Sequence, residues 1–127
     1  MKKTIKCLSV WQPWAWLLVH GIKDVENRYW YTNHRGIVLI HASKRIDTQS
    51  LHYYRVEYDM HDLPVGAIVG QVELTACTRI VQSEWHDPEQ WGWYVAKPVV
   101  YTNPIPYRGR QKLFDVPVSV VPELMAA

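Results

Sequence analysis

Leu8-Ser9-Val10-Trp11-Gln12-Pro13-Trp14-Ala15-Trp16, continued by Gly21-Ile22-Lys23-Asp24-Val25-Glu26-Asn27-Arg28, is the stretch on which the reading of this chain turns. Three tryptophans flank a Gln-Pro step, and a Lys, a Glu and an Arg follow at spacings of three and two. Large rings lose buried area when exposed, and charges lose solvation when buried, so their close succession points to a polar cleft with aromatic walls. Such a cleft suits a planar, polar ligand of the nucleobase type. Locally, residues 4 to 10 alternate weakly and read as a short strand or an extended entry to a helix. Ser9 is a candidate cap, Pro13 fits the first turn, Ala15 to His20 continue the helix, and Gly21 ends it.

Lys23 to Tyr31 then reads as a strand. Period-two alternation puts Asp24, Glu26 and Arg28 on the face opposite Val25, Asn27 and Tyr29. Glu26 between two cations is expected to stay ionised, with a lowered pKa. The planar Arg28 suits a phosphate or a base edge. The competing reading of Lys23, Glu26 and Arg28 is a surface salt-bridge ladder along one strand.

Farther along, Ile37 to Ala42 is apolar on both faces, which predicts a central strand. Asp47 or Thr48 starts a helix to about Val56, Ala67 to Ala76 alternates as a strand, and residues 82 to 92 read as a polar, Trp-bearing loop. Trp93 to Val100 is a further strand, Tyr101 to Tyr107 is extended because of its prolines, and Leu113 to Val118 is the last strand. Short strands, two short helices and no βαβ alternation predict an α+β fold, a small mixed β-barrel with short helices at its ends. The expectation is one domain over residues 1 to 127, with a core from about 7 to 118 and a loose tail over 119 to 127.

The 127 residues carry a net charge of +2, with 48% apolar and 20% charged side chains. That mild excess argues against a non-specific polyanion binder and for local contacts. Seven Trp and eight Tyr against one Phe favour rings with a polar tip, suited to a pocket as well as a core. Cys7 and Cys77 have no metal or redox spacing and read as reduced core residues of a cytoplasmic protein. The apolar run from Trp11 to Val19 is broken by Gln12 and Pro13 and is shorter than the roughly 20 residues of a membrane span. Neither a signal peptide nor a membrane contact is expected. The scattered histidines His20, His34, His52, His61 and His86 lack ligand spacing, so no metal and no cofactor is expected.

Leu8-Ser9-x-x-Gln12-Pro13-Trp14-Ala15, Gly21-Ile22-Lys23-x-Val25-Glu26-x-Arg28, Gly36-x-x-Leu39-Ile40-His41-Ala42-Ser43 and Pro104-Ile105-Pro106-x-x-Gly109 occur in this order. Together they resemble the activating-signal-cointegrator homology (ASCH) domain, from about Cys7 to Val116. The resemblance implies a PUA-like barrel with a cleft, in a superfamily of RNA-binding and modified-base-reading modules. It implies that Lys23, Glu26 and Arg28 line that cleft, that Gln12 and Trp14 pack against it, and that His41 to Lys44, with Ser43, form its far wall. Trp11 is a second candidate for the wall. Lys44, Arg45, Arg108 and Arg110 are the candidates for phosphate contact, the last two in the densest basic patch of the chain.

The primary expectation is therefore a module that binds RNA, a nucleotide or a nucleoside, with DNA as the alternative. An enzyme of the same fold is a second reading. Relatives resembling this fold that deacylate N4-acylated cytidines look to use a Lys, a Thr and a later Glu; Lys23 is present here, but Glu26 stands where they have Thr. A carboxylate does not replace a hydroxyl nucleophile without a change of mechanism. Glu73, Glu84 and Glu89 are the candidates for the later acid. A metal-independent ribonuclease would use Lys23 and Glu26 for proton exchange, Arg28 on the phosphate and His41 titrating near neutrality. A third reading is a protein-docking face built from Trp85, Trp91 and Trp93. The oligomeric state is open.

Overall fold

The computed structural model describes residues 3 to 122. Six strands form one sheet: β1 (Thr4–Gln12), β2 (Val25–Arg28), β3 (Gly36–Ile46), β4 (Ala67–Thr78), β5 (Trp91–Pro106) and β6 (Leu113–Pro117). Two helices, α1 (Trp14–Val19) and α2 (Thr48–Arg55), complete the α+β fold. The strand order is β2-β5-β4-β3-β1-β6, with β1 and β3 parallel and every other pair antiparallel.

The expected barrel is corrected in one respect: the ladder does not close, and β2 and β6 end it. A side chain reaches across instead, for Nη2 of Arg28 on β2 donates to the Ser9 carbonyl of β1 at 2.9 Å.

The central strands bury both faces, as the unbroken apolar run of β3 requires. Leu8, Val10, Val38 and Ile40 join Ala15, Leu18 and Val19 of α1 in one core. Cys7 and Leu39, pointing the other way, pack with Ile68, Tyr101, Phe114 and Val116 in a second. The parallel register sets Cys7 beside Leu39 and Ser9 beside His41. Two residues along from the apolar pair, on the same face, the second core therefore ends in a Ser-His pair.

Local details depart from expectation for identifiable reasons. Ser9 does not cap α1. It still belongs to β1, and Pro13 occupies the cap position without a side-chain bond. The first turn is held by Gln12, whose Oε1 accepts from the Trp16 N–H at 2.9 Å. Asp47 does cap α2, accepting from the Ser50 N–H at 3.0 Å. The strand expected over Lys23 to Tyr31 is only Val25–Arg28, since Trp30 turns to meet the buried Trp93 edge-on at 4.7 Å. The segments 93 to 100 and 101 to 107 are one strand, β5, which accommodates its prolines while β4 follows it through three register shifts. Part of the segment expected as a loose tail from 119 is packed: Val118–Val120 forms a 3-10 turn and Val121 is buried in the second core. The rest of that expected tail, 123 to 127, lies outside the described residues.

Candidate nucleic-acid interface

Lys23, Glu26 and Arg28 form a linked triad, not an exposed ladder. Gly21, at a φ of +76° that favours glycine, turns the chain out of α1 and delivers Lys23 to the start of β2. Lys23 is only 5% exposed. Its ammonium donates to the Val25 carbonyl and, at 3.0 Å, to Glu26 Oε1. Arg28 occupies the other carboxylate oxygen, with Nε at 3.0 Å and Nη2 at 2.8 Å from Oε2. Burial would raise the Glu26 pKa; the charges and hydrogen bonds of Lys23 and Arg28 outweigh it and hold the carboxyl below its ordinary value. With both oxygens engaged and its proton affinity reduced, Glu26 is poorly placed to exchange protons. Arg28 is likewise committed, to Glu26 on one side and Ser9 on the other.

Arg28 lines a concavity of about 340 Å³ together with Ser9, Trp30, Arg110, Gln111 and Lys112. Other candidate residues line two concavities that have no lining residue in common. The smaller, about 320 Å³, holds Lys23 and Glu26 beneath Trp14, Tyr54 and Trp85. Trp14 and Tyr54 meet edge-on at 5.6 Å, and Tyr54 lies against Trp85 at 5.4 Å. Asn27 ties the Trp85 loop down, donating to the Trp85 carbonyl at 2.8 Å and accepting from the Asp87 N–H at 2.9 Å. Of the three candidate acids, Glu84 alone lines this cleft; Glu73 faces Lys97 at 3.5 Å instead.

The larger concavity, about 850 Å³, is lined by Ser9, His41, Ser43, Lys44, Gly66 and the segment from Pro106 to Gln111. It contains three cationic side chains, Lys44, Arg108 and Arg110, and no carboxylate. All three are exposed. His41 is 3% exposed at its floor, accepting or donating at 2.9 Å to Ser9 Oγ through Nδ1 and lying 2.7 Å from the Tyr107 carbonyl through Nε2. Burial holds the His41 pKa below its ordinary value, against the contrary pull of the Tyr107 carbonyl. Gly109 passes directly above: a Cβ there would lie 2.6 Å from Ser9 Oγ and 2.7 Å from His41 Cε1. That close approach requires glycine.

The expected single cleft, with Lys23, Glu26 and Arg28 on one wall and His41, Ser43 and Lys44 on the other, is thus two clefts. The Arg28 side chain lies between them, bonded to a lining residue of each. Gln12 is withdrawn from ligand contact altogether. It is fully buried, and its amide bridges Trp16 and the Pro64 carbonyl, at 3.0 Å, because an interior polar group must be paired. Trp11 stands outside both clefts, 44% exposed, with the Arg45 guanidinium stacked 5.1 Å from its ring centre. The expected face of Trp85, Trp91 and Trp93 does not exist as such: Trp93 is buried in the first core, and Trp91 packs against it.

Sequence reading missed Tyr54 and Trp85 as wall residues of the smaller cleft, a role at which only the ring-rich composition hinted. Among the described residues no cluster of His, Cys, Asp and Glu could hold a metal ion, and no helix is long and apolar enough to cross a membrane.

A family model for the ASCH domain matches residues 8–116. Activating signal cointegrator 1 of Mus musculus is 40% identical over 93 residues, which are 65% of this chain and 16% of that protein. The Homo sapiens protein of the same name is 43% identical over 81 residues, 56% of this chain and 14% of its own length. The chain thus corresponds to a small part of either relative. Among solved structures, the ASCH protein of Zymomonas mobilis superposes with a TM-score of 0.59 at 16% identity, covering 95% of this chain and 93% of that one. A single-residue variant of it gives 0.63 at 15% identity, over 98% of both chains. At that identity the likeness concerns the fold.

Proposed function

This chain belongs to the ASCH domain family, and we propose that it is a nucleic-acid-binding module whose preferred ligand is RNA. The observation that carries the reading is the 850 Å³ cleft with Lys44, Arg108 and Arg110 on its walls and no carboxylate among its lining residues. None of the three cations has an ion pair or side-chain hydrogen bond among the described residues, so each is free to meet a phosphate. Phosphates would then release condensed counterions, giving affinity that falls with salt. Tyr107 adds a ring beside the cations, and the exposed Trp11–Arg45 stack offers a second surface for a base.

In this reading the base or nucleoside end of the ligand enters the Trp14–Tyr54–Trp85 cleft. The Lys23–Glu26–Arg28 triad shapes that cleft's floor, and Arg28 acts as the strut between base cleft and phosphate cleft. The hydrolase readings that rely on Glu26 as acid, base or nucleophile are disfavoured by its two occupied oxygens.

Fluorescence anisotropy of labelled single-stranded RNA at several salt concentrations tests this, comparing wild type with the triple variant Lys44→Ala, Arg108→Ala, Arg110→Ala. Three lost phosphate contacts at roughly 0.7 each should flatten the log–log salt slope by about 2. Identical slopes for the two proteins would refute the phosphate cleft. Tighter binding of a DNA strand of the same sequence would redirect the assignment to DNA.

A further inference from the structure

The Ser9–His41 pair remains unused by nucleic-acid binding, yet it has the form of an activated nucleophile. We propose that Ser9 is a catalytic nucleophile and His41 its general base, acting on an acyl ester carried by an anionic, phosphate-bearing molecule. The inference goes beyond the binding reading: it shares that reading's three cations but rests on the Ser9–His41 pair.

The geometry determines the proton positions. The Tyr107 carbonyl can only accept, and it lies 2.7 Å from His41 Nε2, so that nitrogen carries the hydrogen of the neutral ring. Nδ1 then holds the lone pair, and the Ser9 hydroxyl, 2.9 Å away, donates to it. A hydroxyl within hydrogen-bond reach of a base, with that base oriented by a third group, is the arrangement that activates serine.

One further observation favours a reactive role over a purely structural one. The pair lines the 850 Å³ concavity. Gly109 crosses close above it, where any other side chain would press on Ser9 and His41. The groups that face His41 are the Cys7 and Ser9 side of β1, Phe114 of β6, Tyr107, and the cleft's Lys44, Arg108 and Arg110. No carboxylate lies among them. A protonated imidazole is thus left without a counter-charge, and the neutral, basic form is favoured at neutral pH.

The step balances without any co-reactant except water. Ser9 Oγ attacks the carbonyl carbon while its proton passes to His41 Nδ1. The tetrahedral intermediate then expels the alcohol, which takes that proton. Water, deprotonated by the same nitrogen, attacks the acyl-serine and releases the acid, restoring both residues. A carbonyl carbon is favoured over a phosphodiester as the electrophile, since a phosphodiester's own charge repels an incoming alkoxide. Lys44, Arg108 and Arg110 select for the anionic carrier and stabilise the developing oxyanion.

The test labels native wild-type protein with a fluorophosphonate and maps the adduct by peptide mass. Modification of Ser9 is expected, and its rate should fall at least 100-fold in His41→Gln, which keeps a donor for Tyr107 but removes the base. Hydrolysis of p-nitrophenyl monosuccinate should exceed that of neutral p-nitrophenyl acetate at least tenfold in kcat/KM. Absence of an adduct on Ser9 in folded wild type overturns the proposal without reference to any variant. Equal kcat/KM for the two esters overturns the anionic substrate class. Neither probe contains nucleic acid, so failure of the RNA reading leaves this result untouched.

Discussion

Replacing Glu26 with Gln tests whether the buried triad is an electrostatic lock. The substitution keeps the shape of the side chain and removes its charge. Lys23, 5% exposed, would be left with a buried ammonium and no counter-ion, while Arg28, whose side chain is 24% exposed, would recover part of its hydration. Removing one partner of a buried pair costs about 3 to 5 kcal/mol, and the partial exposure of Arg28 places this case near the lower end, about 3 kcal/mol. For a chain of this size that corresponds to a fall in Tm of roughly 12 °C. With a urea m-value of about 2 kcal/mol/M it corresponds to a midpoint lower by about 1.5 M.

Urea unfolding followed by tryptophan fluorescence at pH 7 reads the effect directly, because Trp93 is buried in the first core. A second variant, Lys23→Met combined with Glu26→Gln, removes the orphaned ammonium and should regain part of the loss. The pH dependence supplies an independent check. The folded-state pKa of Glu26 lies below its ordinary value, so its stabilisation is present above about pH 4.5 and is lost as pH falls below it. That part of the acid loss should be missing in Glu26→Gln. A destabilisation below about 1 kcal/mol, with an unchanged acid limb, would refute the reasoning and return the triad to the class of weak surface ion pairs.

Gln12→Leu leaves the Trp16 N–H and the Pro64 carbonyl without their partners, and at about 1 to 3 kcal/mol for each unsatisfied group a loss of at least 2 kcal/mol in urea unfolding is expected. Gly70→Ala would set a Cβ 2.1 Å from the Val99 carbonyl and 2.8 Å from Val19 Cγ1, so thermal melts should show it to be destabilised by about 3 kcal/mol or to fail to fold. Burial pushes the Cys7 thiol up to about 12, and Cys77 is buried as well, so an aromatic disulfide reagent at pH 8 should titrate neither thiol until denaturant is added. His41 has a lowered pKa in the folded state, so its contribution is complete above about pH 6.5 and declines as pH falls below that value. The decline should vanish in His41→Gln, as read from melts between pH 5 and pH 8.

Much of the fold follows from short-range patterns that any reader of the chain can see. The unbroken apolar run at residues 37 to 40 required a strand covered on both faces, and β3 contributes to both cores. Asp47 ahead of a short amphipathic segment specified a capped helix, since the capping bond spans three residues. The spacing of Lys23, Glu26 and Arg28 placed three charges within mutual reach, and the family motifs carried the rest of the assignment. Local hydrogen bonds and side-chain periodicity need only neighbours in sequence, which is why these features were legible.

The clefts were not legible in the same way. Ser9 and His41 are 32 residues apart, and His41 and Tyr107 are 66 apart; only the parallel pairing of β1 with β3 and the return of the chain after β5 bring them together. Whether Gln12 faces a ligand or the interior depended on which carbonyl lay opposite, and that carbonyl belongs to Pro64, 52 residues away. The division of one expected cleft into two rests on the reach of a single guanidinium from one edge of the sheet across to β1, the strand beside the other edge. Residue types and their spacing thus determined which groups this protein has available for chemistry. Strand register and the open edge of the sheet decided which of them meet, because contacts between distant segments are selected by the packing of the whole sheet and not by any local preference.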